Sequence, residues 1–361
     1  MTDGKSILVI AKFGTVVSGE ARVSKIETHI QPIADATDRV DYVSAGPVSE
    51  QTTGINYYSF DESNFKLFTL FKQFLIAMRL AVRNDYDLIV SFSLPPYGIF
   101  ALLLKYLTRT PAHLGIIGAD LDVHANAKYG PIIVWLFNRF DVISVAGQEY
   151  EERLIEFGIP SDRIYTVLHP VSSEFSQASV GENPSFDLLW LTRMSSEKDP
   201  LLFIEILDEL RDRSVDYSAA MVGSGPMESE VKEAIRERGL QNYVATPGWT
   251  DIPVEYYRDA RIYVLTSSRE MLPLTLVEAM FVGLPPVVPP KGAIPDVVKD
   301  GKNGIIVHSR DVETYADKIE SLLIQEELQT ELGTNAKNIV SVISDESVSD
   351  TWKEIFSSVE S

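Results

Sequence analysis

Two carboxylates frame the stretch SSREMLPLTLVEAMFVGLPPVV, Ser267 to Val288. Glu270 and Glu278 have seven residues between them. The spacing predicts a short helix from Leu274 to Phe281, opened by Pro273 and closed by Gly283, with Pro285 barring a restart. Glu270 then lies in the loop before the helix and Glu278 on its second turn. Between them stand the first amides of the helix, a ready site for an anion such as a phosphate. One acid near a phosphate and another a turn deeper suit a ligand with phosphate in its middle and hydroxylated rings at both ends. A nucleotide-sugar is such a ligand. The competing reading is a solvated surface helix with two ordinary glutamates, since charged residues mostly face water.

Other charged groups precede this stretch. FDLLWLTRMSSEKDP predicts a buried strand ending near Leu191, followed in its loop by Arg193 and Lys198. Arg offers a planar fork and Lys a point charge, and together they suit a diphosphate. Two solvated loop charges are the alternative. In MVGSGPMESEV, Gly223 and Gly225 follow a strand and precede a helix. The third glycine of a dinucleotide fingerprint is missing, so a tight turn admitting a ligand backbone is the better reading. PGWTDIPVEYYRDARIYVLTSS then gives a loop at Pro247–Trp249, a short helix and the strand that delivers Glu270.

These residues need a scaffold. Short Ile-, Leu- and Val-rich runs at Ser6–Ala11, Arg39–Val43, Asp87–Phe92, Ala112–Ile117, Asp141–Val145 and Ile164–Leu168 alternate with helix-length segments. That is the pattern of βαβ units and a parallel sheet. Ser172 to Ser185 breaks it with a polar, small-residue stretch that reads as a linker. The alternation restarts with strands at Phe186–Leu191, Tyr217–Val222, Tyr243–Ala245, Arg261–Thr266, Pro286–Val288 and Gly304–Val307. Helices are predicted at Pro200–Arg213, Met227–Arg238, Val312–Ile324 and Val348–Val359. The expected fold is α/β: a doubly wound Rossmann-like domain over 1–171, a linker over 172–185, and a second such domain over 186–345. The two are expected to face each other across a cleft. A final helix, 346–361, is a candidate to cross back to the first domain. Ligands of such sheets sit at the carboxyl ends of the strands.

Composition sets bounds. The 361 residues exceed one ordinary core. Acids outnumber bases 52 to 32, a formal charge of −20. This argues against nucleic-acid binding, which needs clustered cations. It fits a high-salt cytoplasm, where a solvated surface resists association. A flat activity profile from low to molar salt would count against that halophile hypothesis. There is no cysteine, and the histidines at 29, 113, 124, 169 and 308 show no metal-ligand spacing. Neither a signal-peptide pattern at MTDGKSILVIAKFG nor a membrane-spanning apolar run is present. The expected location is cytoplasmic, with the inner face of the membrane as a candidate.

The order LTRMSSEKDP, MVGSGPM, PGW, SSREMLPLTLVEAMFVGLPPVV and KGAIPDVVKDGKNGIIV resembles the donor-binding half of the retaining glycosyltransferases of the GT-B fold, family 4 (glycosyl transferases group 1). The resemblance covers Phe186 to Val307 and is weaker over the first half. It implies transfer of a sugar from a nucleotide-diphosphate-sugar to a glycan or lipid-linked acceptor, with retention and without metal or other cofactor. It implies that Arg193 and Lys198 hold the donor diphosphate, with the amides around Leu274 and Thr275. Glu270 would stand near the transferred sugar, binding its hydroxyls or steadying oxocarbenium-like charge. Glu278 would hold the ribose hydroxyls, and the backbone near Trp249 would meet the base. Attack would come from the face the phosphate leaves, with that phosphate as base. The chain departs from the pattern at Met271, where the family usually has Gly, and at Thr192, where it often has Gly.

In the first half, Gly14 follows the first strand where the family's glycine-rich loop would face diphosphate and acceptor; an ordinary strand-to-helix loop is the alternative. The family often shows His-Gly-x-Asp where this chain has Ile117-Gly118-Ala119-Asp120. Asp120 matches and is the second catalytic candidate, with helix capping as its rival role. Asp122 and His124 are acceptor-side candidates. Asn64 to Arg83 carries apolar residues at helical spacing, with Lys72, Arg79 and Arg83 within about 40° of one another. That basic face suits anionic lipid, against the plainer reading of a core helix with a solvated side. Alternatives to sugar transfer are a sugar phosphorylase or nucleotide-sugar epimerase on the same plan, or a non-catalytic partner subunit.

Overall fold

The computed structural model describes residues 4–12, 29–46, 53–116, 120–168, 171, 173–340 and 345–359. They form two compact units, the first drawing in residues 344–361 and the second spanning Val171–Ile343.

The first unit holds a seven-stranded parallel sheet in the order β3-β2-β1-β4-β5-β6-β7. The strands are β1 Ser6–Ile10, β2 Arg39–Ala45, β3 Ile55–Phe60, β4 Leu88–Phe92, β5 Ala112–Gly115, β6 Val142–Val145 and β7 Ile164–Thr166. Helices α1 Gln31–Asp35, α2 Lys66–Arg83, α3 Ile99–Thr108, α4 Gly130–Phe137 and α5 Gln148–Glu156 connect them. β1 and β4 are buried on both faces, which is why they read as apolar runs with a single serine each. The edge strand β3, INYYSF, went unpredicted. Only Ile55 is buried, and Asn and Ser interrupt the apolar signal.

One face of this sheet packs on α1 and on the last helix of the chain, Asp345–Ser358, through Ile33, Trp352, Ile355 and Phe356. Trp352 meets His113 at a ring distance of 5.0 Å. Burial pushes the His113 imidazole down to about 3, so it stays neutral there. Trp352→Ala leaves a cavity in this layer and should cost the first unit about 3–5 kcal/mol, read from the urea midpoint. An unchanged midpoint would show that the helix is not part of this core.

The second unit holds a six-stranded parallel sheet in the order β10-β9-β8-β11-β12-β13. Its strands are β8 Phe186–Leu191, β9 Ala219–Val222, β10 Val244–Gly248, β11 Ala260–Val264, β12 Pro286–Val288 and β13 Ile305–Ile306. Its helices are α6 Ser173–Gln177, α7 Pro200–Asp212, α8 Glu228–Glu237, α9 Pro253–Arg258, α10 Leu274–Val282, α11 Ile294–Val297, α12 Val312–Ile324 and α13 Glu326–Val340; the last helix of the chain is α14. Leu188 and Trp190 meet Phe203, Leu207 and Ile319 in the core. Part of the segment read as a linker is structured. α6 lies within it, and Phe175 is fully buried with its ring 5.8 Å from that of Tyr257.

Candidate active site

The strand order of the second sheet reverses between β8 and β11. At such a reversal the loops leaving the strand ends part and open a crevice. The loop after β8 carries Arg193 and Lys198; the loop after β11 carries Glu270. The two loops are stitched together. Trp190 Nε1–H donates to Thr266 Oγ1 at 3.0 Å, and the Thr266 hydroxyl reaches the carbonyls of Lys198 and Asp199 at 3.0 and 2.9 Å. The Ser268 N–H donates to the Glu197 carbonyl at 2.8 Å. The result is an ion pair: Lys198 Nζ lies 2.6 Å from Glu270 Oε1, with the carboxylate side chain only 6% exposed. Arg193 is exposed.

Helix α10 starts after Pro273, in extended conformation. The Leu276 and Val277 N–H groups donate to the Pro273 carbonyl, so those of Leu274 and Thr275 precede the first intrahelical bonds. Gly283, with φ +97°, ends the helix as the sequence predicts. Glu278 is buried and accepts from the Tyr257 hydroxyl at 2.8 Å. Burial raises its carboxyl to about 7, against the lowering effect of the Tyr257 bond. Tyr263 was not singled out from sequence. Its hydroxyl is 2.8 Å from Thr275 Oγ1. Burial pushes it well above the usual tyrosine range. The Thr275 bond opposes that rise, and the charges of Glu270 and Glu278 add to it. Its only sequence signal is a polar-tipped aromatic in the strand leading to Glu270.

Glycines fix the loops. A Cβ at Gly223 would lie 2.1 Å from the Thr192 carbonyl oxygen, and one at Gly225 would lie 2.3 Å from that of Met194. The Gly-Ser-Gly turn is therefore seated against the protein's own Thr192–Met194 backbone, not opened to a ligand backbone as the sequence suggested. Met194 N–H donates to the Ser224 carbonyl at 2.9 Å, which fixes the course of the Arg193 loop. Gly225→Ala should displace that loop and raise KM for the donor about tenfold or more with the fold intact by circular dichroism. An unchanged KM would count against a donor role for the loop. Gly292 plays a matching part. With φ +55°, it lies so close to the Glu270 and Met271 carbonyls that a Cβ would meet them at 2.3 and 2.4 Å. Ala293 N–H donates to the Met271 carbonyl at 2.7 Å. Trp249 is half-buried after Gly248 at the end of β10.

In the first unit, Asp120 is fully buried and accepts from the Leu94 N–H at 2.9 Å and the Ser93 hydroxyl at 3.1 Å. It holds the loop after β4, where the first sheet also reverses. Asp122 pairs with Arg153 at 2.7 Å and accepts from the Tyr150 hydroxyl at 3.0 Å, so it is tied to α5. His124 Nδ1 is 2.8 Å from the Tyr129 hydroxyl. Gly14 and Ile117-Gly118-Ala119 lie outside the described residues.

A family model for glycosyl transferases group 1 matches residues 172–339. This segment is a glycosyl transferases group 1 domain. The chain is a sugar-transferring enzyme, and its two units are those of the GT-B fold. It is similar to an alpha-1,4-N-acetyl-D-galactosaminyltransferase of Campylobacter jejuni, which acts on a diphosphate-undecaprenol-linked glycan. The two are 24% identical over 86% of this chain and 85% of that one. It is 25% identical to the colanic acid biosynthesis glycosyltransferase WcaL of Salmonella typhimurium over 62% of this chain, a match spanning 58% of the relative's length. The structure is similar to that of Anabaena HepE in complex with UDP and glucose, with a TM-score of 0.75 and 19% identity over 97% of this chain and 99% of the other.

Proposed function

We propose that this glycosyltransferase moves a sugar from a nucleotide-diphosphate-sugar to a glycan or lipid-linked acceptor, with retention and without a metal ion. The Lys198–Glu270 pair carries the reading. It stands at the sheet's reversal, four residues before the amides that open α10. A diphosphate reaching Arg193, Lys198 and those amides meets two cations and a helix dipole, which supply the neutralisation a metal would otherwise provide. Glu270 then faces the sugar attached to that diphosphate, and Glu278 the ribose. HepE was seen with UDP and glucose, and the C. jejuni relative acts on a lipid-linked glycan.

In the step proposed, the bond between the anomeric carbon and the phosphate oxygen breaks, and its electron pair leaves with the nucleoside diphosphate. The acceptor hydroxyl attacks from the same face and passes its proton to the departing phosphate oxygen. Glu270 steadies the charge that develops on the sugar between these events. Asp120 is assigned to the acceptor side as holder of the Ser93–Leu94 loop.

A panel of nucleotide-sugars, scored for nucleotide release with a lipid-linked glycan acceptor, tests this. At least one donor should be turned over, the product should keep the donor's anomeric configuration by proton NMR, and a chelator should leave the rate unchanged. Inversion, or a chelator-sensitive rate, would overturn the corresponding part. Release that needs inorganic phosphate in place of an acceptor would favour a phosphorylase.

A further inference from the structure

Helix α2 is turned inside out. It buries Thr69, Gln73, Ala77 and Ala81, a small and polar set, against the rest of its unit. Gln73 is pinned there, its amide donating to the carbonyls of Ala11 and Val43 at 3.1 and 3.0 Å. The side the helix shows outward carries Phe68, Phe71, Leu75 and Val82, each more than a third exposed. An ordinary surface helix does the reverse. The plainer sequence reading, a core helix with a solvated side, is therefore corrected: the apolar stripe is the exposed one.

The inversion extends to the neighbours. The connections β3→β4, β4→β5 and β5→β6 all run in one direction across the sheet. Right-handed crossovers place their helices, α2, α3 and α4, on one face. α3 exposes Leu103 and Tyr106, and α4 exposes Trp135. Among the described residues, fourteen of the seventeen exposed large apolar side chains lie between Phe65 and Trp135. Clustering of this kind marks an interaction surface, whereas single exposed apolar residues mark nothing.

Charge identifies the occupant. The chain carries a formal −20, yet residues 64–83, 99–109 and 126–139 contain no Asp or Glu. They contain Lys66, Lys72, Arg79, Arg83, Arg109, Lys128 and Arg139, besides Lys105, which is held by Asp141 at 2.8 Å and is left out of the lipid-facing set. Arg139 lies over the exposed Trp135 ring at 4.5 Å, an aromatic with a cation on its face. Apolar and aromatic side chains interleaved with cations, and cleared of acids, match the interface of an anionic bilayer. A second copy of this chain would bring the same cations against these. We propose that α2, α3 and α4 form a docking surface on anionic lipid, with the Phe, Leu, Tyr and Trp side chains entering the headgroup region and the cations meeting lipid phosphates. No described helix is long and apolar enough to cross a membrane; the contact proposed is one made at the bilayer surface. The proposal concerns the first unit alone and does not depend on the sugar-transfer reading.

Flotation of the full chain with vesicles tests it, using phosphatidylcholine alone and an equimolar mixture with phosphatidylglycerol. The chain should float with the mixed vesicles and stay behind with the neutral ones. Two variants, Phe71→Ser with Leu75→Ser and Trp135→Ser, and Lys72→Glu with Arg79→Glu, should each cut the bound fraction about tenfold or more. Both change exposed groups only, so circular dichroism and nucleotide binding should match the parent. Failure to float with mixed vesicles would overturn the proposal, as would equal flotation with neutral vesicles or flotation that both variants keep. A dimer by light scattering that these substitutions split, without flotation, would assign the surface to a second copy instead.

Discussion

Glu270→Gln should lower kcat/KM for sugar transfer about a hundredfold or more while nucleoside diphosphate binds as tightly as before, or tighter. The pair at 2.6 Å explains both halves. In the structure the Lys198 ammonium is held by Glu270. A donor diphosphate has to share or take over that cation, and the carboxylate is then released toward the sugar. Neutralising the acid removes the group proposed to face the sugar and frees Lys198 for phosphate. Lys198→Ala should act in the opposite sense on binding. Nucleotide affinity drops by about tenfold or more, because a charge-assisted contact is lost and a mostly buried carboxylate loses its cation. Calorimetry with the nucleotide alone, beside steady-state kinetics, separates the two. Loss of nucleotide affinity in the Glu270 variant, with transfer intact once donor saturates, would reverse the assignment of roles.

Glu278→Gln should make the protein more stable and a poorer nucleotide binder at once. Burial raises the Glu278 carboxyl from 4.5 to about 7 in the folded chain. Between those values the folded state holds a proton that the unfolded state has lost. The contribution of this group is thus greatest below 4.5, falls as pH rises to about 7, and stays low above it. The span corresponds to roughly 3 kcal/mol at most. The glutamine variant cannot ionise, so its stability should lose that slope and exceed the parent's at pH 8. The price is paid in binding: a charged carboxylate accepts ribose hydroxyls strongly, and an amide replaces one acceptor oxygen with a donor. Nucleotide affinity should fall about tenfold or more, and the parent's affinity should climb as pH rises through 7. Parallel melting curves for parent and variant from pH 5 to 8 would show that the carboxyl is not strained.

The two-sheet plan was legible because its central strands are buried on both sides. SILVI, LIVSF and FDLLWL have little room for polar residues, so their boundaries emerge from composition. Strand β3 was not, since an edge strand tolerates Asn56 and Ser59. α6 was hidden for another reason: its helix has five residues, and one buried Phe175 decides it. At the site, residue types were readable but relations were not. Proline, glycine and two glutamates announce α10. No spacing rule reports that Lys198 and Glu270, 72 residues apart, share a hydrogen bond. Nor does one show that Gly223 and Gly225 meet Thr192 and Met194 instead of a ligand. The orientation of α2 was unreadable for a physical reason. Periodicity finds the apolar stripe of a helix but assumes that it faces inward, and Gln73 turns that assumption around.

The loop that presents Glu270 is gripped through its main chain. Ala293 holds the Met271 carbonyl, and Gly292 closes on it. Met271 is not among the positive-φ residues, and its side chain takes no part in those bonds. A glycine is therefore not required at this position, and what stands there can change while the neighbouring acid keeps its place. If Glu270 faces the transferred sugar as proposed, a changed side chain at 271 should alter the fit of that sugar while the acid stays in position. For protein engineers, position 271 is the first place to build a library.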